Sequence, residues 1–301
     1  MKMKRFFFAA LFLMSGLTIV PAQVKLSFNP PKGAKYEYQT EMIQDAKQSV
    51  MGQEIPVETE VSMNYLMEIM DKTPQETTVQ ITYQEVAYII SSPMMNMGYD
   101  SKNPIENPSD FDQMLAKMFS KILGQSFVLV IAPDGSVKSV TGMDAIGESM
   151  SSAIASDGQM IAQLGAQMKL QFNDDAMKNT FEQSFKIYPA DAVRTGNSWN
   201  TKNTMTVNGM NTDISTKYTL KSVSRNVATI AVEGEVEMTP GAGMEGKVAG
   251  TQSGTMTVDT GTGLSLTGDV SQNIKGALKV QGMDVQMEMK TKMKTSIKEV
   301  K

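Results

Sequence analysis

Carboxylates are the residues whose types and spacing could do chemistry in this chain. Asp174 and Asp175 are adjacent, and Glu233, Glu235 and Glu237 occupy alternate positions. Two carboxylates in one cleft can act as general acid and general base, so a carboxylate-dependent hydrolase is one candidate function. Both groups also have a structural interpretation, which we favour. Acidic residues stabilise a helix N-terminus, and glutamates that alternate with apolar residues are typical of the solvent face of a strand.

The chain contains no histidine and no cysteine. Their absence excludes the usual serine and cysteine triads, ordinary zinc sites, haem attachment through cysteine and disulfides. A P-loop, a dinucleotide-binding fingerprint and a calcium loop are also absent from the sequence. We therefore predict a protein that is not an enzyme and that uses no cofactor.

Methionine is frequent in this chain, with 27 copies against a single tryptophan. The cluster of Met94, Met95 and Met97 could hold Cu(I) through its thioether sulfurs. We favour apolar packing instead, because methionine fills irregular gaps and lines adaptable surfaces. Most other methionines also fall on the apolar phase of a predicted strand or helix, which metal binding would not require.

Any site in this chain would be positioned by β-strands, and the strand pattern is clearest in residues 264–297. Apolar and polar residues alternate there. Even positions are apolar or small before Gly282 and odd positions are apolar after it. This parity switch predicts two strands joined by a two-residue Gln281-Gly282 loop. The predicted cross-strand pairs are Val280–Met283, Leu278–Val285, Ile274–Met289, Val270–Met293 and Leu266–Ile297.

Two further hairpins follow from the loops Met51-Gly52 and Asn208-Gly209. Their surroundings are alike, because Gly33-x-x-Tyr36 corresponds to Gly196-x-x-Trp199, and Tyr65-Leu66-Met67 to Tyr218-Thr219-Leu220. In each case another strand and then a strand-turn-strand unit follow, with turns at residues 133–135 and 261–263. We therefore predict two divergent β units, with the last long hairpin completing the second.

Helices are predicted between the two β units. Ser109 or Asp110 caps the first, which carries an apolar stripe up to Leu123 and stops at Gly124. Two more are predicted over 143–154 and 160–170, and Asn173 caps a fourth that ends before Pro189. Residues 93–107 and 239–253 are rich in turn-forming residues or glycine, and we predict loops there.

The N-terminus predicts export. Lys2, Lys4 and Arg5 precede an apolar run over 6–20, as in a secretory signal peptide spanning residues 1–22. Its removal leaves 25 basic residues against 32 acidic ones, a net charge of −7, which disfavours nucleic acid as a partner. The mature chain has no further apolar stretch long enough to span a bilayer.

We expect a single domain over 23–301 with a β unit at 24–140, a helical insert at about 109–186 and a β unit at 190–301. We expect the protein to be located in the periplasm or on the outer surface.

These elements predict an α+β fold in which a large, curved antiparallel sheet packs the helices of the mid-chain insert on its concave face. We predict a lipid or other apolar ligand between helix and sheet. The rival prediction is a structural or interaction module of the cell envelope with a filled core and a protein partner, in which Lys290, Lys292 and Lys294 protect a sheet edge. The predicted ligand-binding residues are Phe111, Leu115, Met118, Phe119, Ile122, Val285, Met287, Met289 and Met293.

The signal segment, the long hairpins and the helical insert resemble the periplasmic lipoprotein-carrier superfamily of the LolA, LolB and LppX kind. This resemblance implies a half-barrel of strands around helices that shelters acyl chains. The patterns Gly196-x-x-Trp199 and Pro133-Asp134-Gly135-x-Val137 also resemble an uncharacterised family of secreted proteins from Bacteroidota. Neither resemblance carries a ligand-contacting residue onto this chain.

Overall fold

The computed structural model describes residues 23–50, 53–155, 159–207, 210–241, 244–280 and 283–300. These residues form strands that are numbered in chain order: β1 (Lys35–Val50), β2 (Gln53–Lys72), β3 (Thr77–Ser91), β4 (Asn96–Asp100), β5 (Ser126–Ile131), β6 (Val137–Thr141), β7 (Ser198–Val207), β8 (Met210–Ser224), β9 (Val227–Thr239), β10 (Met244–Asp259), β11 (Ser265–Val280) and β12 (Met283–Val300). The helices are α1 (Asp110–Phe119), α2 (Met143–Ser152), α3 (Gln159–Gln171) and α4 (Asp174–Phe185).

All the strands join one antiparallel sheet of 12 strands in the order β6-β5-β3-β2-β1-β12-β11-β10-β9-β8-β7, with β4 paired to β3. The sheet is open and curved, and its edge strands β6 and β7 both contact α4. A helix that contacts both edges must lie across the concave side. The predicted α+β class, with helices on the concave face of a half-barrel, is therefore confirmed.

The three hairpin registers are confirmed as far as the described residues extend. Pairs run from Val280↔Met283 to Val270↔Met293 in the last hairpin, while its strands stop pairing before the predicted Leu266–Ile297 contact. The other two hairpins hold their predicted pairs as well. The loops Met51-Gly52, Asn208-Gly209 and Gln281-Gly282 lie outside the described residues.

The two β units have the same strand order, and they meet where β1 pairs with β12. Gly33 and Gly196 have positive φ angles of 81° and 91°. Gly33 donates its N–H to Ile69, as Gly196 does to Leu220, and each acceptor is followed by a β-bulge. Ile69 therefore corresponds to Leu220, which shifts the predicted correspondence of Tyr65 with Tyr218 by two residues.

Both predicted loose segments contain strands, so the loop prediction holds only for the residues outside these strands, such as 101–107. Residues 93–107 include β4, which pairs with β3 from Ile90↔Met97 to Ala87↔Asp100. Residues 239–253 lie largely in β10, where Gly246 and Gly250 face the concave side opposite Leu278 and Ile274. Glycine is needed there because the neighbouring backbone fills the space of a Cβ. An ideal Cβ on Gly250 would lie 2.7 Å from the Ile274 Cα atom.

The expected edge protection by Lys290, Lys292 and Lys294 was also wrong, because β12 lies in the middle of the sheet. These lysines project from the convex face. The register places Lys290 opposite Asp45 and Lys294 opposite Glu41 on β1. Opposite charges on directly paired positions stabilise a sheet modestly. Lys290 and Lys294 therefore face acidic partners across the strand pair, whereas Lys292 lies opposite Ile43.

The predicted helices are present, and α1 and α4 begin at the predicted caps Ser109 and Asn173. α1 ends at Phe119, before the predicted stop at Gly124, and the chain continues in turns. In α1 the Ser109 side chain accepts the N–H of Asp112, and the Asp112 carboxylate accepts the Ser109 N–H at 2.8 Å. The same carboxylate accepts the Gly98 N–H of β4 at 2.7 Å. Burial favours the neutral acid, but these hydrogen bonds dominate and lower the pKa of Asp112 below its ordinary value.

We expect Asp112→Asn to lower the free energy of unfolding by about 1–3 kcal/mol, because one amide oxygen cannot serve donors on both sides. A lowered pKa in the folded state means that the stabilisation is complete above the unfolded-state pKa of about 4 and is lost as the pH falls through the folded-state pKa. Urea unfolding between pH 3 and pH 7 measures both effects. Asp110→Asn, on the exposed side of the same first turn, is the control. Equal losses of unfolding free energy in Asp112→Asn and Asp110→Asn would contradict the role given to the Asp112 carboxylate.

Candidate ligand-binding face

The concave face carries two separate hydrophobic clusters. The base cluster lies under the helices and includes Phe28, Tyr65, Met118, Phe181 and Leu220. The tip cluster lies nearer the hairpin loops of the second β unit, and its members are Met210, Ile214, Val236, Met238, Val248, Ile274 and Leu278. The helical insert therefore fills one end of the sheet rather than covering the whole face.

The predicted ligand-binding residues are divided between different environments, and the structure does not bring them together. Leu115, Met118, Phe119 and Ile122 are buried in the base cluster, whereas Phe111 is 43% exposed. On the sheet, Met287 and Met289 pack beside the tip cluster, while Val285 and Met293 belong to neither cluster. The predicted lining shared by α1 and β12 is therefore absent from the described residues.

A partly exposed apolar strip, the central strip, runs along the sheet strands β2, β1, β12 and β11 beside the two clusters. Its position on the concave face follows from strand parity, because Tyr38 and Ile297 of the same phase pack into the base cluster. Met293 is 41% exposed, and the other members are partly exposed. The central strip consists of Met42, Ala46, Val57, Val61, Val270, Val285, Met287, Met289 and Met293.

The four β12 residues of the central strip are among the predicted ligand-binding residues. The members on β1, β2 and β11 were not predicted to bind a ligand. Met42 lies opposite Met293, and Ala46 lies opposite Met289, through the pairing of the first strand with the last. No turn connects these strands, so sequence pattern alone offered no register between them. Their shared parity and similar length were the only available signal.

A row of polar residues, the polar row, crosses the concave face at one level. Direct register neighbours link Thr59, Gln44, Thr291, Gln272, Gln252, Gly234 and Thr216, from β2 across to β8. Gln272 Nε2 donates to Gln252 Oε1 at 3.2 Å, and Gln252 Nε2 donates to Thr216 Oγ1 at 2.6 Å. The row separates the base cluster from the tip cluster and crosses the central strip.

The space between α4 and the sheet is nearly filled. It contains a cavity of about 40 Å³ lined by Tyr38, Tyr65 and Ile297 from the sheet and by Phe181 and Phe185 from α4. That volume suits about one water molecule. Burial raises the pKa of Tyr38 to about 12, so its phenol stays neutral and hydrogen-bonding at physiological pH. An acyl chain does not fit in this cavity.

The carboxylate candidates occupy the structural positions that the sequence favours. Asp174 begins α4 and accepts the N–H of Met143 at 2.7 Å, while Asp144 of α2 accepts the N–H of Asp174 at 3.1 Å, so these two helices cap each other. Glu233, Glu235 and Glu237 are exposed on the convex face of β9. Asp144 is the acidic group that faces Asp174, and both carboxylates serve as helix caps, so this pair has a structural role.

Met94 and Met95 are exposed, whereas Met97 packs against the base cluster. In the described ranges, no group of three or more histidine, cysteine, aspartate or glutamate residues is arranged to hold a metal ion. Among the same residues, no helix is both long and apolar enough to span a bilayer.

The fold and the concave face of the sheet together define the class of protein. It is an α+β protein with an open, curved antiparallel sheet whose concave side is only partly covered by helices. The chain belongs to the family of unknown function DUF6263, whose model matches residues 74–265. No curated protein matches the sequence.

Among the solved structures to which the chain aligns, three have the following scores. A structure on lipid–protein interactions in lipovitellin aligns with a TM-score of 0.47 at 10% identity over 89% of this chain, and this chain spans 25% of that one. An outer membrane channel from Pseudomonas putida F1 gives 0.24 at 8% identity over 90% of this chain and 98% of the channel. A DUF1329 family protein from Desulfovibrio piger gives 0.15 at 11% identity over 87% and 85%. None of the three is similar enough to carry over a ligand or an activity.

Proposed function

We propose that this protein binds a single acyl chain on the central strip, and that it acts as a non-enzymatic carrier or binding protein for a lipid or acylated molecule. The observation that carries the proposal is the apolar, partly exposed strip on the concave face, whose members lie outside the buried base cluster beneath the helices. Contiguous exposed apolar surface in a soluble protein marks a binding site.

The central strip is long enough to hold an acyl chain. Val285 and Met293 lie eight residues apart on β12, a distance of about 27 Å at ~3.4 Å per residue. One leaflet of a bilayer is about 15 Å thick, which is half of the ~30 Å hydrocarbon core. Met42, Met287, Met289 and Met293 line the strip with flexible, polarisable side chains, which adapt to chains of different length and saturation.

We also propose that the protein works outside the cytoplasm, in the periplasm or at the outer surface. Support comes from Lys2, Lys4 and Arg5 and from the apolar run over 6–20, which together resemble a secretory signal peptide. An apolar ligand that crosses an aqueous compartment must be shielded from water, and a concave apolar face provides such shielding.

The test is a matched pair of methionine substitutions. We expect Met289→Asp to weaken the binding of a dansyl-labelled fatty acid by at least about tenfold, because the acyl chain would desolvate a carboxylate. Aspartate is chosen because the long stem of lysine could carry its charge back into water. Fluorescence titration of the purified protein measures the affinity.

Met94→Asp is the control, since Met94 is 84% exposed and lies outside the central strip. It should bind the probe as the wild type does. Equal thermal midpoints in the two variants exclude unfolding as the cause. The proposal fails when the wild type takes up no probe, or when Met289→Asp binds as tightly as Met94→Asp.

The second candidate is a structural or interaction module of the envelope, in which the central strip binds a protein partner. The nearly filled space beneath α4 favours it, because only about 40 Å³ remains there. Native mass spectrometry of protein purified from the exporting host separates the candidates. A co-purified lipid supports the carrier, and a lipid-free protein that also takes up no probe supports the module.

A further inference from the structure

We propose that the polar row recognises the carbonyl of an ester- or amide-linked acyl chain, so that the ligand is an acylated molecule rather than a free hydrocarbon. This inference rests on the proposed function and deepens it, because the polar row crosses the central strip. A surface selected only for hydrocarbon would carry apolar residues at that level too. Instead, neighbouring strands place carboxamides and hydroxyls side by side.

One end of the polar row is rigidly built. Gln252 is 9% exposed, and both ends of its carboxamide are engaged, one by Gln272 and the other by Thr216. The contact with Thr216 reaches across β9, where Gly234 leaves room for it. A Cβ on Gly234 would lie 2.8 Å from Gln252 Nε2. The buried half of the row therefore fixes the position of the Gln272 carboxamide at the border of the central strip.

The other end of the polar row offers free hydrogen-bonding capacity at the open strip. Gln44 is partly exposed, and its Nε2 donates to Thr291 Oγ1 over 3.3 Å, at the long end of the normal range. An amide nitrogen has two hydrogens, so one remains to donate to a ligand carbonyl. Gln272 likewise uses one N–H for Gln252 and keeps another. Two carboxamides that flank Thr291 thus present donors into an apolar surface.

The positions of the apolar residues give the ligand a direction. From the polar row toward the hairpin loops, Ala46, Met289, Met287 and Val285 continue the strip for about 20 Å at ~3.4 Å per residue. In the other direction, the pair Met42 and Met293 is followed directly by the hydroxyls of Thr40 and Thr295. The acyl chain therefore runs toward the loops, with its carbonyl at Gln44 and Gln272.

Two lipids that differ only in the carbonyl test this assignment. Monolauroylglycerol carries an ester, and the ether monododecylglycerol has the same head group and chain length without the carbonyl. We measure how each displaces a dansyl-labelled fatty acid from the purified protein. The wild type should bind the ester about tenfold more tightly, which is the effect of one net hydrogen bond.

Gln44→Leu and Gln272→Leu should bind both lipids alike, and should bind the ether with wild-type affinity. Gln39→Leu is the control, because Gln39 lies on the exposed convex face of β1, and it should keep the preference. The inference is overturned when the wild type shows no preference, or when the preference persists in both variants of the polar row. A wild type that binds neither lipid overturns the proposed function itself.

Discussion

Phe28→Ala is expected to lower the free energy of unfolding by about 3–5 kcal/mol, the range for removing a fully buried phenylalanine. Phe28 is 2% exposed, and its ring meets Phe185 of α4 edge-on at a centroid distance of 5.3 Å. The truncation leaves a void between the N-terminal segment and the last helix, and the surrounding residues can close it only in part.

The effect is expected to be larger than cavity formation alone, because Phe28 holds a segment that ties the two β units together. Its N–H donates to Pro133 in the turn of the first unit at 2.8 Å, and the Asn29 N–H donates to Thr262 in the turn of the second at 2.7 Å. Loosening this segment should expose both turns at once. Hydrogen exchange should therefore accelerate near residues 133–135 and 261–263 in the variant.

Phe111→Ala is the matched control. Phe111 is exposed at the start of α1, so its loss should cost about 1 kcal/mol or less. Chemical denaturation of the wild type and both variants gives the free energies. A loss of less than about 1 kcal/mol for Phe28→Ala, or unchanged exchange at both turns, would show that the segment does not brace the sheet.

The sequence contains enough information for the three hairpins with glycine loops but not for the central seam of the sheet, where β1 pairs with β12. In the hairpins a glycine loop sets the register and the parity of apolar residues sets the face, so pairs such as Leu278↔Val285 could be predicted. The pairing of β1 with β12 joins residues that are far apart in the chain, as in Met42↔Met293. Its register depends on the packing of the whole concave face.

The polar row shows the same limit for the candidate site. Gln44, Gln272 and Thr291 each interrupt an apolar phase, and within a single strand such an interruption reads as an isolated exception. Only the registers of successive strand pairs place them at one level. The helices illustrate the opposite case. Their caps at Ser109 and Asn173 are local signals, and both were predicted from sequence.

The glycines of β10 predicted a loop where the chain forms a strand, because glycine has two structural uses. A cluster of glycines usually indicates a loop, yet Gly246, Gly250 and Gly254 fall on alternate inward positions of one strand, with Val248 and Gln252 between them. Each lies opposite a large apolar residue of β11, namely Leu278, Ile274 and Val270. Glycines in such positions let a strand bend sharply, which produces the curvature of the sheet.

The double variant Gly250→Ala/Gly254→Ala should therefore be strongly destabilised. A Cβ on Gly254 would lie 2.8 Å from the Val270 Cα atom and would overlap the Asp269 carbonyl, and Gly250 has the same relation to Asn273. Because the obstacle is backbone, the strands must separate. Overpacking of this kind costs about 1–3 kcal/mol per site. The two sites lie about 13 Å apart along the strand, so their costs should add to about 2–6 kcal/mol.

Gly261→Ala provides the control, since its nearest neighbour is the Asp259 carboxylate at 3.4 Å, an ordinary contact. Alanine there should leave stability unchanged or raise it by up to about 1 kcal/mol through the unfolded chain. Urea unfolding of the single and double variants measures each cost. Flattening of β10 would also pull the tip cluster away from Met287 and Met289, so the double variant should lose probe binding in parallel with stability. A stable double variant would mean that the curvature of the concave face has another cause.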